Sequence, residues 1–337
     1  MVVIMNSDAT AENIRGVVER IESLGMQTHL SRGKERTIIG LIGDEREVDF
    51  DSIAAMPGVE RAIPILRPYK FVSREVHPQG LVVTVGDVRI GTDLVFMAGP
   101  CSVEDEDTTL RIAEMVKQAG AQVFRGGAYK PRTSPWSFQG LREKGLKILS
   151  RVRQETGMPI VTEIMAVGDI PLVGEHTDIY QVGMRNMRNY ALLAELGRIH
   201  KPVLLKRGDS AKLEEWLAAA EYVFRNGNEQ VILCERGIRT FEDYTRNTLD
   251  LNAVVGAKHE SCLPVLVDPS HGTGRSDMVV PMSKAAVAAG ADGLLLEVHF
   301  NPDQAWSDGK QTITPARLRQ TIEACERIHA LAGEQGK

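Results

Sequence analysis

Between Phe124 and Gly140 the chain reads FRGGAYKPRTSPWSFQG, a short apolar run that breaks into two glycines and then into Lys130, Arg132, Thr133 and Ser134. Such a segment is suited to holding an anion. Gly126 and Gly127 permit close backbone approach, Lys130 and Arg132 bring charge, and Thr133 and Ser134 bring short hydroxyl donors, while Pro131 and Pro135 stiffen the loop. An ordinary solvated strand-to-helix loop has a similar composition, so its company decides. Cys101, Arg125, Glu163, Arg185, Lys206, Arg236, His271 and Glu297 each stand at or just after the end of an apolar run. Cys101, His271, Glu297 and, further on, Asp308 offer a thiolate, an imidazole and two carboxylates. That mixture suits Mn²⁺, Fe²⁺, Co²⁺ or Zn²⁺ better than magnesium, which would not choose the sulfur. Each also has a plain explanation: a small buried hydrophobe for Cys101, a loop donor for His271, a turn for Asp308 before Gly309. The cationic set, Arg125, Lys130, Arg132, Arg185, Lys206 and Arg236, implies substrates carrying phosphate and carboxylate groups. A Lewis-acid metal beside such anions suits carbonyl chemistry.

Positioning these residues requires a repeating scaffold. Eight apolar runs (DLVFMAG, QVFRGG, PIVTEI, IYQVG, PVLLKRG, QVILCERG, PVLVDPSH and GLLLEVH) alternate with amphipathic segments. Leu213, Trp216, Leu217, Ala220, Val223 and Phe224 show the helical spacing most clearly. Near-continuous Val/Ile/Leu strands alternating with helices imply a parallel sheet covered on both faces, and eight such units are the size of a (β/α)8 barrel. A doubly wound open sheet is the alternative, weakened by the lack of a GxGxxG after the first strand. Barrel enzymes build their sites at the C-terminal ends of several strands, where the eight capable residues fall. Ahead of the barrel, VVIM, a helix behind the N-cap Thr10, two extended runs around Gly33, a short helix and GVERAIPIL give the order βαββαβ. This is a ferredoxin-like pattern, used by small ligand-sensing modules and by domains that only help subunits assemble. The expected α/β architecture is a small ferredoxin-like α+β domain over residues 1–70, a linker and β-hairpin over 71–91 turning at Gly86 and Asp87, and a TIM barrel over 92–337.

A net charge of −5 and a pI of about 6.0 give no bulk electrostatic reason to bind nucleic acid or a membrane surface. No stretch reaches the roughly 18 apolar residues of a spanning helix, and MVVIMNSDAT lacks the basic start of a signal peptide. Four scattered cysteines without a CxxC pair fit reduced thiols. These features predict a cytoplasmic protein.

The stretches AGPCSVE, RGGAYKPRTSPWSFQG, VGMRN, LLKRG, ILCERGIRTFE, VDPSHGTGR and LLLEVHFNPDQAWSDGKQ run through nearly the whole barrel. In them the chain closely resembles the metal-dependent 3-deoxy-D-arabino-heptulosonate 7-phosphate (DAHP) synthases, in the branch with an N-terminal ferredoxin-like domain. The resemblance implies condensation of phosphoenolpyruvate with erythrose 4-phosphate, giving DAHP and phosphate, the entry to aromatic amino-acid synthesis by the shikimate pathway. It implies one divalent metal ion per subunit on Cys101, His271, Glu297 and Asp308. By the same resemblance Arg125, Lys130 and Lys206 hold the carboxylate region of phosphoenolpyruvate, and Arg185 and Arg236 hold its phosphate. Lys130, Pro131, Arg132, Thr133 and Ser134 take up erythrose 4-phosphate, with Asp308 also beside the substrates. Lys130, with Cys101 and His271, forms the catalytic group, and Lys130 is the candidate for proton transfer. Glu163 falls in the pocket without an assigned role. The resemblance further implies a homotetramer whose N-terminal domain binds tyrosine or phenylalanine, with His29 and Ser31 as candidate contacts. Two other functions stand beside this one: a 3-deoxy-D-manno-octulosonate 8-phosphate synthase-like enzyme acting on arabinose 5-phosphate, and a non-catalytic metabolite sensor.

Overall fold

Two units divide the chain after Pro68, and the computed structural model describes residues 1–32, 37–43, 48–63, 68–131, 134 and 136–334. In the first unit the elements run β1 (Val2–Met5), α1 (Ala11–Ser23), β2 (Gln27–Arg32), β3 (Thr37–Ile42), α2 (Phe50–Ala54) and β4 (Val59–Ile63). Thr10 caps α1, its hydroxyl oxygen accepting from Asn13 N at 3.2 Å while Thr10 N donates to Asn13 Oδ1 at 3.0 Å. The strands form one antiparallel sheet in the order β2-β3-β1-β4. Val3 pairs with Ile39, and both join Met5, Val17, Ile21 and Ile53 in a buried core. His29 and Ser31 lie on the edge strand β2, opposite Gly40 and Ile38, and are exposed. Strand alternation puts them on the face opposite Val3 and Ile39. The expected turn around Gly33 lies outside the described residues.

The second unit opens at Tyr69 and runs at once into the expected linker, 71–91. Tyr69 and Val72 are buried in the main core, and the amides of Phe71 and Val72 donate to the Glu221 carboxylate at 2.9 and 3.0 Å. A hairpin follows, β5 (Val83–Val85) and β6 (Val88–Ile90), turning through Gly86 at a positive φ of 57°. Then come β7 (Val95–Gly99), α3 (Glu106–Gln118), β8 (Val123–Arg125), α4 (Glu143–Thr156), β9 (Ile160–Ile164), α5 (Ile170–His176), β10 (Ile179–Val182) and α6 (Tyr190–Gly197). The rest are β11 (Val203–Lys206), α7 (Leu213–Arg225), β12 (Val231–Glu235), α8 (Leu251–Glu260), β13 (Val265–Val267), α9 (Pro269–Thr273), α10 (Ser276–Ala288), β14 (Gly293–Glu297) and α11 (Pro315–Glu334).

Strands β7 to β14 close into a barrel of parallel neighbours. The seam between β14 and β7 needs a glycine, because a Cβ on Gly293 would meet Val95 O at 2.2 Å. The helices cover the outside, and α7 buries Trp216, Leu217, Ala220, Val223 and Phe224 as their spacing predicts. Inside, Met97, Val123, Val161, Ile179, Leu204, Ile232, Leu266 and Leu295 pack together with Val83, Val85 and Ile90 of the hairpin. The hairpin thus plugs the barrel below its inward-facing apolar layer. Ile90 is fully buried there, so Ile90→Ala should destabilise the protein by about 2–5 kcal/mol in urea unfolding. A loss under about 1 kcal/mol would show that the hairpin does not fill the barrel floor.

Candidate active site

Side chains on a strand alternate between its faces, so the residue two beyond an inward apolar one also points inward, nearer the C-terminal mouth. Val123 is followed by Arg125, Val161 by Glu163, Ile179 by Gln181, Leu204 by Lys206, Cys234 by Arg236, Leu266 by Asp268 and Leu295 by Glu297. A polar layer therefore lies on the apolar one. Above it opens a cavity of about 340 Å³. Arg125, Lys130, Pro131, Ser134, Glu163, Arg185, Lys206, Arg236, His271 and Asp308 all line it. Arg132 and Thr133 lie outside the described residues, and His29 and Ser31 belong to the first unit.

One corner gathers the sulfur, the imidazole and the carboxylates. Ligand atoms of Cys101, His271 and Glu297 lie within 4.8 Å of one another. Cys101 Sγ donates to Asp308 Oδ2 at 2.8 Å and accepts from Lys130 Nζ at 2.8 Å. Burial, then the charge of Glu297, pushes the Cys101 thiol up to about 12, with Asp308 adding to the rise and Lys130 opposing it. Burial also holds His271 below its ordinary value, against the pull of Asp268 and Glu297. The His271 Nδ1 lies 2.7 Å from Asp268 Oδ2. That carboxylate stays ionised well below the usual range because His271 and Lys206 outweigh the burial that opposes them. It therefore accepts the Nδ1 proton, and the Nε2 lone pair faces Glu297 Oε1 at 3.3 Å. Burial opposes ionisation of Glu297, yet His271, Arg125 and Lys130 keep it below the ordinary glutamate range. Its oxygens accept from Arg125 Nη1 at 3.1 Å and Gln311 Nε2 at 2.5 Å. Asp308 takes a left-handed backbone, φ 54°. Gly309 follows where a Cβ would meet Pro302 O at 2.3 Å. A thiol, a neutral imidazole and two carboxylates, all turned inward, form a donor set that fits a divalent transition ion.

The remaining wall is cationic. Arg125 donates to Pro100 O at 2.8 Å, and its buried Nε has no hydrogen-bond partner among the described residues. Lys206 Nζ holds Asp268 Oδ2 at 2.6 Å, both groups buried. Burial lowers the Arg236 pKa, against Asp268. Arg185 stands exposed on a short turn, Met184–Asn186, beyond β10. Glu163 faces these cations, and burial raises its pKa against Lys130, Lys206, Arg125 and Arg185. Its carboxyl needs the space over Gly183, where a Cβ would fall 1.9 Å from Oε1.

The profile of the DAHP synthetase I family matches residues 72–331. The chain belongs to the DAHP synthetase I family. A second profile, the DAHP synthase ferredoxin-like domain, matches residues 1–67. The phospho-2-dehydro-3-deoxyheptonate aldolase of Thermotoga maritima is 48% identical over 97% of each chain. The crystal structure of the Thermotoga maritima DAHP synthase covers 98% of each chain with a TM-score of 0.94 at 48% identity. A truncated form of the synthase from that organism covers 79% of this chain and 98% of its own, with a TM-score of 0.74 at 46% identity. More distantly, the 2-dehydro-3-deoxyphosphooctonate aldolase of Syntrophotalea carbinolica is 33% identical over 73% of this chain and 95% of its own.

Within this DAHP synthetase I barrel, three polar residues escape a reading of strand ends alone. Asp268 touches both Lys206 and His271, and the period of two after Leu266 would have found it. Gln311 and Arg246 hydrogen-bond each other at 3.2 Å from separate loops, and no local pattern marks them. If the corner holds a cation, its formation must displace the Cys101 proton, whereas His271 is already neutral at pH 7. Raising the pH lowers the competing proton concentration while the free thiol stays protonated. The apparent Mn²⁺ association constant should therefore rise about tenfold per unit between about pH 7 and 9, with about one proton released in calorimetry. Release of no proton would exclude the thiol as a ligand.

Proposed function

We propose that this chain condenses phosphoenolpyruvate with erythrose 4-phosphate and water, giving DAHP and inorganic phosphate at the head of aromatic amino-acid synthesis. The observation that carries this reading is the meeting of a Cys–His–Glu cluster with a cavity walled by arginines and lysines. A divalent transition cation held by Cys101, His271, Glu297 and Asp308 would supply Lewis acidity to polarise the aldehyde oxygen. Arg125, Lys130 and Lys206 bind the phosphoenolpyruvate carboxylate, and Arg185 and Arg236 its phosphate. The loop from Lys130 to Ser134, including Pro131, Arg132 and Thr133, receives the aldose phosphate, with Asp308 beside it. In the reaction C3 of phosphoenolpyruvate bonds to the aldehyde carbon, and Lys130 delivers a proton to the oxygen that becomes a hydroxyl. Water then adds at C2 and loses a proton, the C2–O bond to phosphate breaks, and a ketone remains. The cationic wall stabilises the negative charge that shifts and departs.

We further propose that the protein works in the cytoplasm as a homotetramer. Four buried, unbridged cysteines support the compartment, and no helix among the described residues is long and apolar enough to cross a membrane. The tetramer rests on the family resemblance. Residues 1–70 bind tyrosine or phenylalanine through His29 and Ser31, a reading supported by the ferredoxin-like match and by the exposure of both side chains on one sheet face.

One assay tests the whole reading: phosphate release from phosphoenolpyruvate with erythrose 4-phosphate or arabinose 5-phosphate, before and after chelation. Release should require erythrose 4-phosphate, stop in chelator and return with Mn²⁺, and fall about 100-fold or more in a folded Cys101→Ala protein. Tyrosine or phenylalanine should inhibit the intact chain but not the His29→Ala variant. Turnover of arabinose 5-phosphate alone would transfer the chain to octulosonate chemistry. Full activity in chelator would remove the metal, and indifference to both amino acids would leave residues 1–70 as an assembly element.

A further inference from the structure

One oxygen of Asp268 serves two sites. Oδ2 lies 2.6 Å from Lys206 Nζ and 2.7 Å from His271 Nδ1, while Oδ1 accepts His271 N at 2.9 Å. The carboxylate is fully buried, directly after β13, and opens α9. It lies behind both partners: Lys206 and His271 line the cavity and Asp268 does not. We infer that Asp268 is a positioning residue that couples the metal corner to the anion pocket, by sharing one carboxylate oxygen between the histidine ligand and the pocket lysine. The inference rests on the proposed metal site.

The coupling has a sign. A hydrogen bond from Nδ1 to a carboxylate fixes the imidazole tautomer and makes Nε2 a stronger donor to a cation. Lys206 competes for the same oxygen. Whatever draws the His271 proton toward Oδ2 loosens Oδ2 from Lys206 and leaves the ammonium more available to an anion in the cavity. Conversely, an anion that engages Lys206 returns Oδ2 to His271. Metal and anion should therefore strengthen each other's binding, as linkage requires of any coupling.

A double-mutant cycle on Mn²⁺ affinity tests this without turnover, using the full chain and electron paramagnetic resonance of free Mn²⁺. Asp268→Asn should weaken Mn²⁺ binding about 10- to 100-fold. Lys206→Met should tighten it, because Oδ2 then belongs to His271 alone. A merely structural role would weaken binding in both. Removing a nearby positive charge also favours a cation directly, so the decisive quantity is the interaction term. In the Asp268→Asn background, Lys206→Met should give clearly less gain than in the wild type. Equal gains in the two backgrounds, or Asp268→Asn binding within about twofold of wild type, would overturn the inference while leaving the metal site standing. If Asp268→Asn does not fold by circular dichroism, the same cycle is run with Asp268→Ser and read by the same interaction term, and weaker Mn²⁺ binding by Lys206→Met overturns the inference in either case. A wild-type chain that binds no Mn²⁺ overturns the metal reading, and this inference with it.

Discussion

Charge buried at the end of a barrel must be answered locally, because an uncompensated ion there costs several kcal/mol. The polar layer of this protein meets that constraint by pairing across strands. Glu297 on β14 stands 3.1 Å from Arg125 on β8, and Asp268 after β13 stands 2.6 Å from Lys206 on β11. Both pairs are almost wholly removed from water. Beneath them the apolar layer and the hairpin exclude solvent from the other side, so the pairs cannot relax outward. The geometry of the site follows from that confinement.

Pairing is incomplete by design of the layer. Among the described residues, the cations of Arg125, Lys130, Arg185, Lys206, Arg236 and Arg246 line the cavity with the carboxylates of Glu163 and Asp308, and Asp268 and Glu297 lie behind. Burial tilts Glu163 toward its neutral form, which leaves the cavity more positive still. The excess is an electrostatic demand for anions. At the other corner the Cys101 thiol rises to about 12 beside Glu297 and Asp308. A thiol made reluctant to ionise by burial, and then by its anionic neighbours, is a demand for a cation. The two demands meet at Lys130, which reaches Cys101 and lines the cavity. Arg246 ties the loops at the mouth together, bonding Gln311 by its side chain and Thr273 O by its amide at 2.9 Å.

Much of this was legible because strands and barrels are periodic. The eight apolar runs gave the barrel, and the capable residue ending each gave Arg125, Glu163, Lys206 and Glu297. Cys101, His271 and Asp308 were legible by type, yet only folding brings atoms so far apart in sequence within reach of one another. Asp268 sits in the same period, two residues after Leu266, where a helix-capping Asp before proline also has an ordinary explanation. Gln311 and Arg246 could not be read, since their roles depend on two loops meeting across the mouth. The stretch 71–91 reads as a linker because its polarity hides Val72, which is buried in the main core. Membership of the DAHP synthetase I family accounts for the shared stretches, and the pairing rules account for why those residue types stand where they do.

One set of strand ends builds a cation corner and an anion wall side by side. Anomalous diffraction from crystals soaked with Mn²⁺ and phosphoenolpyruvate tests this arrangement most directly. A manganese peak should lie within coordination distance of Cys101 Sγ, His271 Nε2 and a Glu297 oxygen, with the phosphoenolpyruvate phosphate and carboxylate against Arg236, Arg185, Lys206 and Arg125. A manganese peak away from Cys101, or phosphoenolpyruvate bound outside this wall, would contradict it.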